Sequence, residues 1–263
     1  MWPFDPKKRR TSASPGSERE AAHELPRAVR GRIGLQLAAR SSLSWYPAEK
    51  LDRVLLWLSA AQLALFGLLA WRMRTHPVFP VDVQITRTLQ KLSSPVWQHL
   101  ASAVSYLGSS PAIANTLAFP VAAIMWKRRL RLEAIMTLGV SFTSLLAGTV
   151  LKRLVSRPRP RRTQVRVYER KHTRSFPSGD VTSSVTFWGW LFALGLLQTR
   201  GKRAWQRVLA TFPALFVVLS GPARIYLGVH WASDTLGAYL FGGSWLGLSL
   251  RLYRSLKKRK VLA

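Results

Sequence analysis

Three short polar clusters lie between Lys152 and Asp234, each set against long apolar sequence. The first runs from Lys152 through Arg157, Pro158 and Arg159 to Pro160. The second is Phe176-Pro177-Ser178-Gly179-Asp180. The third runs from Ala223 and Arg224 through His230 to Asp234. A phosphate monoester carries nearly two negative charges, and a site that transfers it must hold them with cations and N–H donors. Lys152, Arg159 and Arg224 supply cations. Ser178 and Gly179 precede a helix, where free N–H groups and the helix dipole favour an anion, and Ser178 adds a hydroxyl. His230 and Asp234 are four apart, on one face of a helical turn. A carboxylate on one imidazole nitrogen fixes the tautomer and leaves the other nitrogen free to attack. The spacing therefore fits a nucleophilic His230 oriented by Asp234, beside a cage of cations.

Bringing together residues some eighty positions apart requires a scaffold. The chain has 263 residues, enough for one domain or one membrane bundle. A net charge of +29 would point to nucleic acid if the chain were soluble. Yet 48% of the residues are hydrophobic and lie in long blocks, which argues against a nucleic-acid partner. A basic membrane protein explains both facts, because Lys and Arg collect in its loops. There is no cysteine, so disulfides, thiolate chemistry and zinc–thiolate sites are excluded.

A spanning helix needs about 20 mostly apolar residues. Residues 54–71, 96–126, 132–151, 181–197, 208–219 and 235–250 meet or approach that pattern. The second is read as one long span with Pro120 as a tolerated kink. Gly237, Gly242, Gly243 and Gly247 in the sixth allow close helix packing. The expected fold is all-α: a polytopic membrane protein of six transmembrane helices with both termini cytoplasmic. Residues 1–50 read as a basic, largely disordered segment, 51–252 as the membrane domain, and 253–263 as a basic cytoplasmic tail. This orientation satisfies the positive-inside rule except between Lys152 and Gly179, where ten Lys and Arg would face outward. Charges so placed are expected to grip an anion. The topology puts all three clusters on one membrane face. The expected location is the bacterial inner (plasma) membrane, with the site on its non-cytoplasmic side.

The clusters resemble the three signature motifs of the type 2 phosphatidic acid phosphatase superfamily, which also contains glucose-6-phosphatase and the vanadium haloperoxidases. The family pattern is K-x6-R-P, then P-S-G-H, then S-R-x5-H-x3-D. Lys152, Arg159 and Pro160 match the first in full. Pro177, Ser178 and Gly179 match the second, with Asp180 where the family has His. Arg224, His230 and Asp234 match the third, with Ala223 in place of Ser. The resemblance spans roughly residues 54–250. It implies an integral membrane phosphatase on lipid or polyprenyl phosphates or diphosphates, working through a phospho-histidine without metal or other cofactor. It also implies the roles. His230 attacks, Asp234 supports it, Asp180 stands in the acid's place, and Lys152, Arg159, Ser178, Gly179 and Arg224 hold the phosphate.

A carboxyl donates a proton only when it carries one. Nearby cations favour a charged Asp180, whereas burial or an adjacent phosphate favours the neutral form. Three outcomes stay open at this level: Asp180 is the acid, another group such as His172 replaces it, or the chain is a phosphotransferase or a catalytically impaired lipid-phosphate binder. Duller readings exist for single residues. Asp180 fits a helix N-cap, Asp234 a cap of the sixth helix, Lys152 and Arg159 interfacial anchors, and the other loop cations a solvated surface. His230 and Asp234 also have metal-ligand spacing, but no second His or Cys accompanies them. A channel would use basic residues to select anions, without needing the Pro-Ser-Gly turn or the His/Asp pair.

Overall fold

The computed structural model describes residues 48–109, 111–198 and 204–262, so the basic segment 1–50 falls almost wholly outside the described residues. All regular structure within them is helical. Helix α1 (Ala48–Thr75) is long and apolar, with Glu49 in its first turn and Arg72 and Arg74 in its last, as the helix dipole favours. Trp57, Leu58, Leu65, Leu68 and Trp71 are exposed along it, a face suited to lipid rather than water. Two short helices follow, α2 (Pro80–Leu89) and α3 (Pro95–Ala103). Each opens on proline, which tolerates the first helical turn, and Ser94 caps α3.

The second span is not one straight helix. A π-helical stretch, Val104–Ser109, follows α3, and α4 (Pro111–Lys127) sets off at 50° to it. The bend lies between Leu107 and Pro111. Pro120 stays inside α4. Helix α5 (Arg131–Val155) ends where Ser156 turns into the left-handed region (φ 53°), its N–H closing on Lys152 O at 3.0 Å. Helix α6 (Gly179–Ser183) passes through a π-helical turn, Ser184–Trp188, into α7 (Gly189–Gln198). The residue capping α6 is Ser178, not Asp180, which lies in the first turn. Helices α8 (Ala204–Tyr226) and α9 (Ala232–Leu262) complete the bundle, and α9 runs unbroken through residue 253.

Among the described residues, Glu49–Thr75 and Arg131–Val155 are each long and apolar enough to cross a bilayer. The bent pair Pro95–Leu107 and Pro111–Lys127 makes a third if it is one span. Helix α9 packs against α1, α5 and α6. Phe66 of α1, Phe241 of α9 and Phe176 from the intervening loop form one aromatic cluster, with ring centroids 5.4–5.5 Å apart. Gly237 permits that cluster, since a Cβ there would stand 2.4 Å from the Phe176 ring. Phe176 immediately precedes Pro177-Ser178-Gly179, so this close approach seats the second polar cluster against α9. At the other end of α9, Glu133 accepts from Lys257 (2.7 Å) and Tyr253 (2.8 Å), and Asp52 accepts from Arg254 and Lys258. The bundle thus has two polar ends, and the three clusters share one of them.

Candidate active site

His230 is fully buried in the turn before α9. Its Nδ1 lies 3.4 Å from Asp234 Oδ2, an approach longer than an aligned hydrogen bond. Its Nε2 lies 3.2 Å from Arg159 Nη1. A guanidinium only donates, so that contact makes Nε2 the acceptor and puts the ring proton on Nδ1, facing Asp234. Burial, with the Arg159 charge beside it, pulls the imidazole below its usual range and keeps it neutral. Asp234 is held on several sides. Its Oδ2 accepts from Ser175 Oγ and from the N–H of Trp231 at 2.9 Å. The latter is the return bond of a capping box, so Asp234 caps α9 and faces His230 at once.

The first cluster is aimed by backbone carbonyls. Lys152, at the end of α5, donates to Pro177 O (2.7 Å) and Arg174 O (3.0 Å). Arg159 donates to Thr173 O and Val229 O as well as contacting His230. The second cluster is tied to the third by one backbone bond, Ser178 N–H to Asp234 O at 3.2 Å. Ser178 Oγ accepts from Val181 N, and the Lys152 stem lies against Gly179, where a Cβ would come within 3.3 Å. Arg224, 1% exposed near the end of α8, reaches Asp180 Oδ2 with Nη2 (2.7 Å) and Glu169 with Nη1 (3.1 Å). It also donates to Ser105. All eight residues singled out in the sequence therefore meet at one place. His172 is exposed on the wall of an adjoining cavity of about 380 Å³, which Arg159, Lys171 and Val229 also line.

Asp180 is a buried ion rather than a neutral carboxyl. Burial opposes its charge, but the charges of Arg224 and Lys171 outweigh that and hold it well below the usual carboxylate range. Ala223, at the position of the third-motif Ser, packs apolarly with Tyr226, Leu227 and Val229.

The sequence reading overlooked a second layer. Arg157, counted there among solvated loop charges, is 1% exposed. Its Nη1 meets Asp234 Oδ1 at 2.5 Å, its Nη2 meets Asp82 Oδ2 at 2.7 Å, and its Nε donates to Pro77 O. Asp82 in turn accepts from Ser233 N–H and Oγ at 2.9 and 2.6 Å. The available signal was the doubled Arg-Pro of the first cluster; nothing in the 73–107 region announced Asp82. Lys171 was likewise overlooked, although its Nζ meets both Asp180 oxygens.

A neutral histidine inside a ring of cations, in a bundle whose described residues form only helices, is suited to an anionic group. A model of the PAP2 superfamily matches residues 133–258, which enclose all three clusters. Over that region, just under half of the chain, the protein is similar to the PAP2 superfamily, and it is an integral membrane protein. A curated relative, phosphatidylglycerophosphatase B of Bacillus subtilis (strain 168), is 26% identical over 67% of this chain and 85% of its own. The solved structure of the transmembrane PAP2 type phosphatidylglycerolphosphate phosphatase from Bacillus subtilis superposes with a TM-score of 0.65. It covers 76% of this chain and 96% of its own at 22% identity. That of Aquifex aeolicus LpxE aligns over 66% and 98%, at 21% identity and a TM-score of 0.48.

Proposed function

We propose that the protein is a membrane phosphatase that hydrolyses a lipid or isoprenoid phosphate or diphosphate through a phospho-His230 intermediate. The observation that carries the reading is the His230 ring, neutral and buried, with Nδ1 toward Asp234 and Nε2 toward the cations. Nε2 attacks phosphorus, Asp234 stabilises the imidazolium that forms, and the P–O bond to the lipid breaks. Arg159, Arg224 and Lys152, with the Ser178 hydroxyl and the Gly179 N–H at the start of α6, neutralise the charge gathering on the phosphoryl oxygens. Asp180, once protonated, gives its proton to the leaving oxygen. Water then attacks phosphorus, returns a proton to Asp180 and frees His230. The cations supply the electrostatic work that a metal does elsewhere, so the reaction is expected to proceed without one.

Six spans with both termini in the cytoplasm place the site on the outer side of the bacterial inner membrane, with 51–252 as the phosphatase domain between two basic segments. Helix α5 fits this placement, running from the basic run at Lys127–Arg131 to Lys152 in the site. The name of the curated relative makes phosphatidylglycerophosphate the first substrate to test.

The experiment is phosphate release from a panel of lipid phosphates by purified protein with chelator present, with an alkaline quench to trap phospho-histidine. Turnover that survives chelator and disappears in His230→Ala supports the reading. Metal dependence, or turnover that survives His230→Ala, refutes it. The charged Asp180 favours one second reading, a lipid-phosphate binder of little activity. No turnover by wild type, with activity gained in Asp180→His, would select it.

A further inference from the structure

Asp180 does more than replace a histidine. Its Oδ2 stands 2.7 Å from Arg224 Nη2 and 3.5 Å from His230 Nε2, while both its oxygens lie within 3.0 Å of Lys171 Nζ. A nucleophile and the atom it attacks meet at about 3–3.5 Å. An anionic oxygen of the protein therefore occupies ground that the substrate's phosphate must enter. Lys171 belongs to none of the three signature patterns. It is half-buried at the cavity mouth, and Glu169, 3.7 Å from it, completes the ring back to Arg224.

We propose that Lys171 and Arg224 form the seat of the transferred phosphate, that Asp180 is its resident anion, and that substrate binds by exchanging its phosphate for that carboxylate. The proposal rests on the site assigned above and adds Lys171 to it. The exchange also settles the state of Asp180. In the free protein two cations hold it ionised. Once a phosphate dianion takes those cations, the carboxylate is left beside a new anion and takes up one proton from solvent. That proton is the one the leaving oxygen receives, and attacking water restores it. When phosphate departs, the carboxyl loses the proton and returns to Lys171 and Arg224. The groups facing Asp180 are Lys171 and Glu169 from the loop between α5 and α6, Arg159 from the same loop, Lys152 from α5, Arg224 from α8 and His230 before α9. Glu169 and His230 could also take a proton, so the test removes Asp180 itself.

Tungstate is a tetrahedral dianion with no proton to give at neutral pH. Its binding to the detergent-solubilised full chain is measured by calorimetry in two buffers of different ionisation enthalpy. Wild type should take up close to one proton per tungstate, and Asp180→Asn close to none. Asp180→Asn should bind at least about tenfold tighter at pH 7.5, and its affinity should no longer weaken as pH rises. Lys171→Met should weaken binding about tenfold in either background. Equal affinity in wild type and Asp180→Asn, equal proton uptake, no binding by either, or indifference to Lys171→Met each overturns the proposal. These readouts need no turnover. Failure to phosphorylate His230 would refute the phosphatase reading and leave them unchanged.

Discussion

Replacing Arg157 by Met keeps most of the side-chain length and removes one buried charge. Asp82 and Asp234, 3% and 0% exposed, then share a pocket with no cation between them. Breaking a buried pair by removing one partner typically costs about 3–5 kcal/mol. Two facts place this case at the low end. Asp82 keeps both donors from Ser233, and Asp234 keeps Ser175 and the Trp231 N–H. A loss of about 3 kcal/mol corresponds to a fall of about 6–12 °C in Tm for a domain of this size. Activity should fall further than folding explains, because the carboxylate facing His230 Nδ1 loses the contact that anchors its other oxygen. A tenfold drop in kcat, about 1.4 kcal/mol, is the least expected. Thermal unfolding in detergent and phosphate release on the same preparation read the two effects. The double variant Arg157→Met/Asp82→Asn removes one stranded charge and should recover part of the lost stability, at least about 0.5 kcal/mol, without recovering kcat. A Tm within about 2 °C and a kcat within about twofold of wild type would refute the claim that Arg157 anchors Asp234.

Three further outcomes are expected. Gly228 has φ +67° and a Cβ there would meet Arg166 O at 2.0 Å, so Gly228→Ala should cost more than the roughly 1–2 kcal/mol of a left-handed residue and displace the His230 turn. An unchanged Tm would contradict this. Because burial and Arg159 lower the His230 pKa in the free protein, the ring stays neutral below its ordinary value of about 6.5, and the acid limb that His230 sets in kcat/KM should fall below that pH; a limb at or above it would count against the assignment. The depressed pKa of Asp180 contributes stability that is fully present above its ordinary value near 4 and fades as pH falls toward the lowered one. Asp180→Asn should therefore lower Tm at pH 7, with the gap to wild type closing below about pH 4, as a pH series of melting curves would show.

The sequence carried the residues that would meet at the site but not the state in which they are held. Periodic apolar blocks and three spaced clusters were enough to expect that Lys152, Asp180 and His230 would converge. They left Asp180's charge open, because its sign depends on how closely cations such as Lys171 and Arg224 approach. Arg157 was misjudged because a buried and a solvated arginine read alike in a basic loop; only the partners tell them apart, and Asp82 lies in a short amphipathic helix before the matched family region. The helix breaks were also hidden. Pro120, the residue marked as a kink, lies within α4, while the bend falls between Leu107 and Pro111 and the π-helical turn inside the fourth block follows no proline at all.

Lys152 and Arg159 reach the site by donating to main-chain oxygens of residues 173, 174, 177 and 229. A carbonyl is the same whichever side chain its residue carries. The loop between α5 and α6 can therefore change most of its side chains, and with them the headgroups it admits, while the cations stay aimed. Substrate preference and chemistry are then separable traits: substitutions at exposed positions such as Arg161, Arg162 or His172 should retune which lipid enters, and the bond broken inside should stay the same.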